Sequence, residues 1–202
     1  MIDLHKDGGF WTVTLRRPDK ANSLTKAMLE QLAEIAESAS AAKVLVITGE
    51  GRVFSAGADL DEARAGLATD PVWERLSSAL AAAPCLTIAA LNGTLAGGAF
   101  GMALACDIRL AVPVAKFFYP VMKLGFLPQP SDPKRMRALI GPARTKLILM
   151  AGQKITAQEA FDFGLVDRLL EADAFDDEIA ALTADVLAST PENLVGIKVM
   201  CG

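Results

Sequence analysis

The stretch Leu86-Thr-Ile-Ala-Ala-Leu-Asn-Gly-Thr-Leu-Ala-Gly-Gly-Ala-Phe-Gly-Met-Ala-Leu-Ala-Cys106 carries no charge. It is about as long as a bilayer crossing, which takes roughly 20 apolar residues, and Gly93, Gly97 and Gly101 recur at the spacing of paired membrane helices. Two features argue against a span. Asn92-Gly93 is a strong turn pair, and Gly97, Gly98 and Gly101 interrupt any continuous apolar helix. A buried strand over Leu86 to Leu91, a turn and the start of a buried helix account for the same residues. Upstream, Val44-Leu-Val-Ile47 is a second apolar run that ends at Thr48-Gly49, as a strand buried on both faces does. It leads to Phe54-Ser-Ala-Gly-Ala-Asp-Leu60, another glycine-bearing turn into a helix. The chain thus joins a buried strand to a helix start twice.

Outward from these runs, Trp11 to Leu15 alternates as a strand, and Arg17-Pro18-Asp19 closes it with turn chemistry. Met28, Leu32, Ile35, Ala36 and Ala39 then recur at helical spacing, with Thr25 as N-cap and Leu24 and Leu29 as a hydrophobic staple. A glycine-rich loop over Gly49 to Gly57 is followed by a short helix opened by Asp59, with Glu62 as its capping-box partner. A further helix follows Asp70-Pro71. Asp132-Pro133 opens a helix, with Asp132 as N-cap, that Gly141 closes, and Pro142 to Ala151 forms the next. Thr156 and Glu159 cap a helix ending at Gly164, and Ala174 to Leu187 is amphipathic. Short apolar strands alternating with helices indicate an α/β fold with right-handed crossovers. There is no internal repeat, heptad array or low-complexity linker.

A chain of 202 residues that is 52% apolar can bury one sizeable core, so a single domain over 1–202 is expected. The net charge of -4 argues against a nucleic-acid partner. Cys85, Cys106 and Cys201 lack paired spacing, which points to neither disulfides nor a metal site and fits a reducing cytoplasm. The first residues are charged and form no apolar signal core.

The first turn of a helix holds N–H groups without internal partners, and the helix dipole adds partial positive charge there. If the two glycine-bearing helix starts converge, one N–H from each forms an oxyanion hole, worth roughly 3 to 4 kcal/mol per donor for a developing anion. Glycine beside the donors lets a ligand approach the backbone.

Four segments in order, Arg17-Pro-Asp-Lys-Ala-Asn-Ser-Leu24, Phe54-Ser-Ala-Gly-Ala-Asp-Leu60, Asn92-Gly-Thr-Leu-Ala-Gly-Gly98 and Ala103-Leu-Ala-Cys-Asp-Ile-Arg109, resemble successive signatures of the crotonase (enoyl-CoA hydratase/isomerase) superfamily. The stretch Gly152 to Asp167 is similar as well. The resemblance implies a ββα spiral over about 1–142 with a helical C-terminal part over 143–202, shortened relative to the family. It implies oxyanion donors at the backbone N–H groups of Ala58 and Gly98. It places Lys20, Ala21, Asn22, Ala56, Asp59 and Leu60 toward CoA, which enters as part of an acyl-CoA substrate, with no permanently bound cofactor. A homotrimer or hexamer is implied too.

The sequence departs from that family at the acid–base positions. Hydratases resemble one another in having two glutamates, because adding water requires one group to activate it and another to supply a proton. The matching positions here are Gly101 and Val121. Tyr119, the single tyrosine, and Asp132 are the remaining candidates, whereas His5 is remote from every motif. Two functions follow as alternatives: an enzyme that stabilises an acyl-CoA enolate without ordinary hydratase activity, or a CoA-binding or assembly subunit that has lost its acid and base.

Overall fold

The computed structural model describes residues 1–201. Strands β1 (Ile2–Asp7) and β2 (Phe10–Leu15) form an antiparallel pair, and the alternation of β2 sends Trp11, Val13 and Leu15 into the core. Helix α1 (Lys26–Glu37) begins where the Thr25 hydroxyl accepts from Met28 N at 3.2 Å, and buries Met28, Leu29, Leu32 and Ile35. Strand β3 (Val44–Gly49) returns parallel to β2, completing a β-α-β unit.

From here the chain differs from the sequence reading. The segment Gly49 to Gly57 is not all loop, since Val53–Ser55 forms a short strand, β4, before α2 (Leu60–Arg64) and α3 (Val72–Ala82). The same pattern recurs as β5 (Leu86–Leu91), β6 (Thr94–Ala96) and α4 (Phe100–Ala105). It recurs again as β7 (Ile108–Ala111), β8 (Lys116–Phe118), α5 (Val121–Leu124) and α6 (Asp132–Leu149). Strands of three residues are too short to show a period of two, so the pattern leaves no trace in hydropathy. After β9 (Ile155–Thr156), α7 (Ala157–Phe163) and β10 (Arg168–Leu169), the sheets have the orders β1-β2-β3-β5-β7-β10 and β4-β6-β8-β9. Each unit gives one strand to each sheet, which is the ββα spiral.

The stretch Leu86 to Cys106 is therefore β5, β6 and α4, and no helix among the described residues is long and apolar enough to cross a membrane. Gly141, at φ 76 and ψ 169, breaks the helical path of α6 just before Pro142, where the sequence places a helix end. Thr156 and Glu159 close a complete capping box on α7, and Gly164 ends it at φ 84. Helices α8 (Phe175–Ala188) and α9 (Pro191–Cys201) follow.

Two of the sequence signatures meet in a buried knot. Arg109 is almost fully buried, donates to Cys106 O at 2.7 Å and Leu165 O at 2.9 Å, and pairs with Asp167 at 3.1 Å. Its guanidinium satisfies carbonyls that packing has cut off from water, which is the requirement for burying polar groups.

Candidate active site

The two glycine turns lie backbone to backbone. A Cβ on Gly57, whose φ is 91, would stand 2.9 Å from Ala96 O, 3.3 Å from Gly97 Cα and 3.4 Å from Gly98 N. Only glycine admits this approach in that conformation. Asn92 clasps the turns together, accepting from Gly49 N at 2.9 Å and donating to Gly51 O at 2.9 Å.

Ala58, one residue beyond Gly57, forms a parallel bridge with Leu24 through Leu24 N to Gly57 O (2.8 Å) and Asp59 N to Leu24 O (2.9 Å). Successive amides in extended chain point to opposite sides, so the Ala58 N–H points away from Leu24. Gly98 is the second residue of the 3-10 turn Gly97–Ala99 that runs into α4, where an N–H has no partner within the helix. Both residues are half-buried. The glycine at 98 is required by packing, because a Cβ there would lie 3.2 Å from the Trp73 ring.

The residues expected toward CoA divide into struts and surface. Asn22 is fully buried, with its amide donating to Glu50 O (2.9 Å) and Val53 O (2.7 Å) and its oxygen accepting from Arg17 N (2.9 Å). Ala21 O accepts from Ala56 N at 3.0 Å, which ties this loop to the end of β4. Asp59 pairs with Arg17 at 2.8 Å, and that guanidinium holds its carboxyl below the usual carboxylate range. Its other oxygen caps α2 by accepting from Asp61 N and Glu62 N. These side chains are committed internally, leaving Lys20, Ala56 and Leu60 exposed around the turn. The expected capping box is only half formed. Asp59 N is already given to Leu24 O, so the Glu62 carboxylate instead accepts from Lys26 N at 2.6 Å and caps α1.

At the acid–base positions, Val121 is buried at the start of α5, and Gly101 lies in the first turn of α4. A Cβ on Gly101 would meet Asp132 Oδ1 at 3.1 Å and Oδ2 at 3.6 Å. The N-cap reading of Asp132 is overturned. Ser131 holds the cap position, Asp132 is the first helical residue, and its fully buried side chain points into the core without capping the helix. Pro133 explains how, since its missing N–H reduces the need for a capping acceptor.

Tyr119 donates to Asp132 Oδ2 at 2.9 Å, while Oδ1 is buried without a partner among the described residues. Burial pushes the Asp132 carboxyl up to about 7; the Tyr119 hydrogen bond and Arg135 oppose the rise and Glu74 adds to it. Burial also raises the Tyr119 phenol, which stays neutral as a donor, and its ring stacks on Phe100 at 5.4 Å. The structure thus brings Tyr119 and Asp132 together beside the start of α4. A carboxyl near neutrality can both give and take a proton. Trp73, Glu74 and Ser131 also belong to this surrounding, and no local signal in the sequence marks them.

Two cavities lie elsewhere. One of about 540 Å³ sits between the main sheet and α8, against Phe10, Val46 and Phe175; another of about 790 Å³ adjoins α8 and α9. Neither is lined by Ala58, Gly98 or Asp132. Among the described residues, no three or more His, Cys, Asp or Glu side chains are grouped so as to hold a metal ion.

A family model described as enoyl-CoA hydratase/isomerase matches residues 5–200. A Mycobacterium leprae protein assigned as an enoyl-CoA hydratase, EchA6, is 34% identical over 90% of this chain and 77% of its own length. The 1,2-epoxyphenylacetyl-CoA isomerase of Escherichia coli is 32% identical over 91% of this chain and 73% of its own. A Thermobifida fusca protein assigned as an enoyl-CoA hydratase and solved in complex with CoA superposes with a TM-score of 0.90 at 30% identity, covering 99% of this chain and 83% of that one.

Proposed function

Since the chain belongs to the enoyl-CoA hydratase/isomerase family, the crotonase superfamily, we propose that it binds an acyl-CoA thioester and moves a proton through an enolate held by the Ala58 and Gly98 N–H groups, with Asp132 as acid and base. The observation that carries this reading is the buried Asp132 carboxyl against Gly101, where a hydratase glutamate would begin. The solved relative with bound CoA supports the ligand class.

One carboxyl suits double-bond migration better than hydration. As carboxylate, Asp132 removes a proton from the carbon beside the thioester carbonyl, and negative charge develops on the thioester oxygen. The two backbone N–H groups stabilise that charge more than they stabilise the neutral ground state, so they lower the barrier. The protonated Asp132 then returns the proton to the far carbon of the dienolate, and the double bond shifts into conjugation. A carboxyl at about 7 is suited to both halves of the cycle. Tyr119 holds Oδ2, and Oδ1 has no hydrogen-bond partner among the described residues.

Conversion of 3-butenoyl-CoA to crotonyl-CoA, with proton exchange in D2O, tests the reading. The parent should turn over, and Asp132→Asn should keep CoA binding while losing roughly 10² to 10⁴-fold in rate. Binding by the parent without exchange of any acyl-CoA tried would instead make the chain a CoA-binding or assembly subunit.

The same reading includes a cytoplasmic homotrimer or dimer of trimers. The exposed apolar side chains Met122, Leu124, Phe126 and Leu127, and Ile197, Val199 and Met200 on α9, support self-association. Light scattering that gave a monomer at micromolar concentration would remove this part.

A further inference from the structure

Glu74 lies in the first turn of the site's supporting helix, α3, directly after Trp73. Trp73 sets its ring against Gly98 and fixes it by donating Nε1 to Leu67 O at 2.8 Å. Glu74 reaches the other half of the site. Its Oε1 accepts from Ser131 N at 3.1 Å and from Ser131 Oγ at 2.9 Å. Ser131 is the residue from which Asp132 turns into the core. Its hydroxyl also accepts from Arg135 Nη1 at 2.7 Å. Consecutive residues of one helix therefore hold the oxyanion turn and the start of the acid–base helix.

We propose that Glu74 is a positioning residue for Asp132: it anchors the Ser131 turn that aims the Asp132 carboxyl at Gly101, and it places a fixed negative charge beside that carboxyl. The cap itself does not fix this turn, because the Ser131 side chain accepts from no backbone N–H of α6 and is held instead by Glu74 and Arg135. The charged and titratable groups that influence Asp132 come from three directions: Tyr119 before α5, Glu74 from α3 and Arg135 from α6. The α4 side contributes Gly101, which has no charge. Glu74 favours the protonated form and Arg135 the ionised form. The catalytic meaning of this arrangement rests on the role proposed for Asp132, but the arrangement itself can be measured without substrate.

The side-chain carboxyl of Asp132, labelled with 13C and identified by its absence from Asp132→Asn, is titrated by NMR in the free protein. Glu74→Gln should lower its midpoint and Arg135→Gln should raise it. A purely structural Glu74 predicts otherwise, since the amide oxygen of Gln can still accept from Ser131 N and Oγ and would leave the midpoint unmoved. Should Glu74→Gln fail to fold, Glu74→Ala removes the same charge and carries the same expectation. An unmoved midpoint in the folded neutral variant, or a fall in both Glu74→Gln and Arg135→Gln, overturns the proposal. Failure of 3-butenoyl-CoA turnover with these midpoint shifts intact would count against the function and leave the positioning role standing.

Discussion

Asp132 occupies the space into which a side chain on Gly101 would grow, its Oδ1 standing 3.1 Å from the position of a Cβ there. The two positions compete for one space, because a side chain at 101 requires the Asp132 carboxyl to give way by a few tenths of an ångström.

Gly101→Glu, which would place a glutamate at a hydratase position, is therefore expected to lower stability and not to create a hydratase. Its Cβ would press on the Asp132 carboxyl, and a second buried carboxyl would need a partner the site does not have. Thermal melting should show the loss. Hydration of crotonyl-CoA should stay weak or absent in both parent and variant, and ordinary hydratase rates in clean parent protein would contradict the single-carboxyl chemistry.

Ala58→Pro should weaken an enolate-mimicking CoA analogue more than free CoA. The Leu24 bridge uses Gly57 O and Asp59 N, so proline at 58 removes an N–H on which that bridge does not depend. Loss of one oxyanion donor costs roughly 10² to 10³-fold in rate in hydrolases, and analogue affinity should fall in the same direction. Ala58→Gly keeps the N–H and should bind both ligands nearly as the parent does. Calorimetric titration of the two ligands decides it; an unchanged affinity ratio in folded Ala58→Pro assigns the glycine turns to packing alone.

Gly98→Ala should destabilise by about 1 to 3 kcal/mol, the usual range for overpacking. The added methyl would meet the Trp73 ring at 3.2 Å, so the cost arises in the contact between α3 and the turn that leads into α4. Truncation to Trp73→Leu in the Gly98→Ala background should recover part of the loss relative to Trp73→Leu alone, measured as a double-mutant cycle in urea.

Stability should fall as pH rises from about 4 to about 7, because the unfolded chain ionises Asp132 from its ordinary value of 3.8 while the folded chain holds the proton up to about 7. Over that window the native state binds more protons, so alkalinity favours unfolding, and above it the loss is complete. The shift corresponds to about 4 kcal/mol at most from this one group. Asp132→Asn, whose amide oxygen can still accept from Tyr119, should lack this loss. Urea unfolding near pH 5 and near pH 8 should therefore show the variant gaining on the parent at the higher pH.

The sequence by itself determined the elements with long periodic or punctuated signals. The alternation of Trp11 to Leu15, the apolar runs at Val44 and Leu86, the Thr25 and Thr156 caps and the Gly164 stop all act within one helical turn or one strand, so neighbouring residues suffice to specify them. The glycines at 57 and 97 were legible as turns for the same reason. What only the tertiary structure decided are relations between distant residues. The strands β4, β6 and β8 exist because a second sheet offers them partners. Glu62 leaves its own helix for Lys26 because Leu24 has already taken Asp59 N. Asp132 becomes a buried acid rather than a cap because Tyr119, Gly101 and the Glu74–Ser131 contact surround it from three other elements. Burial and electrostatic environment are properties of that assembly, and no spacing along the chain encodes them.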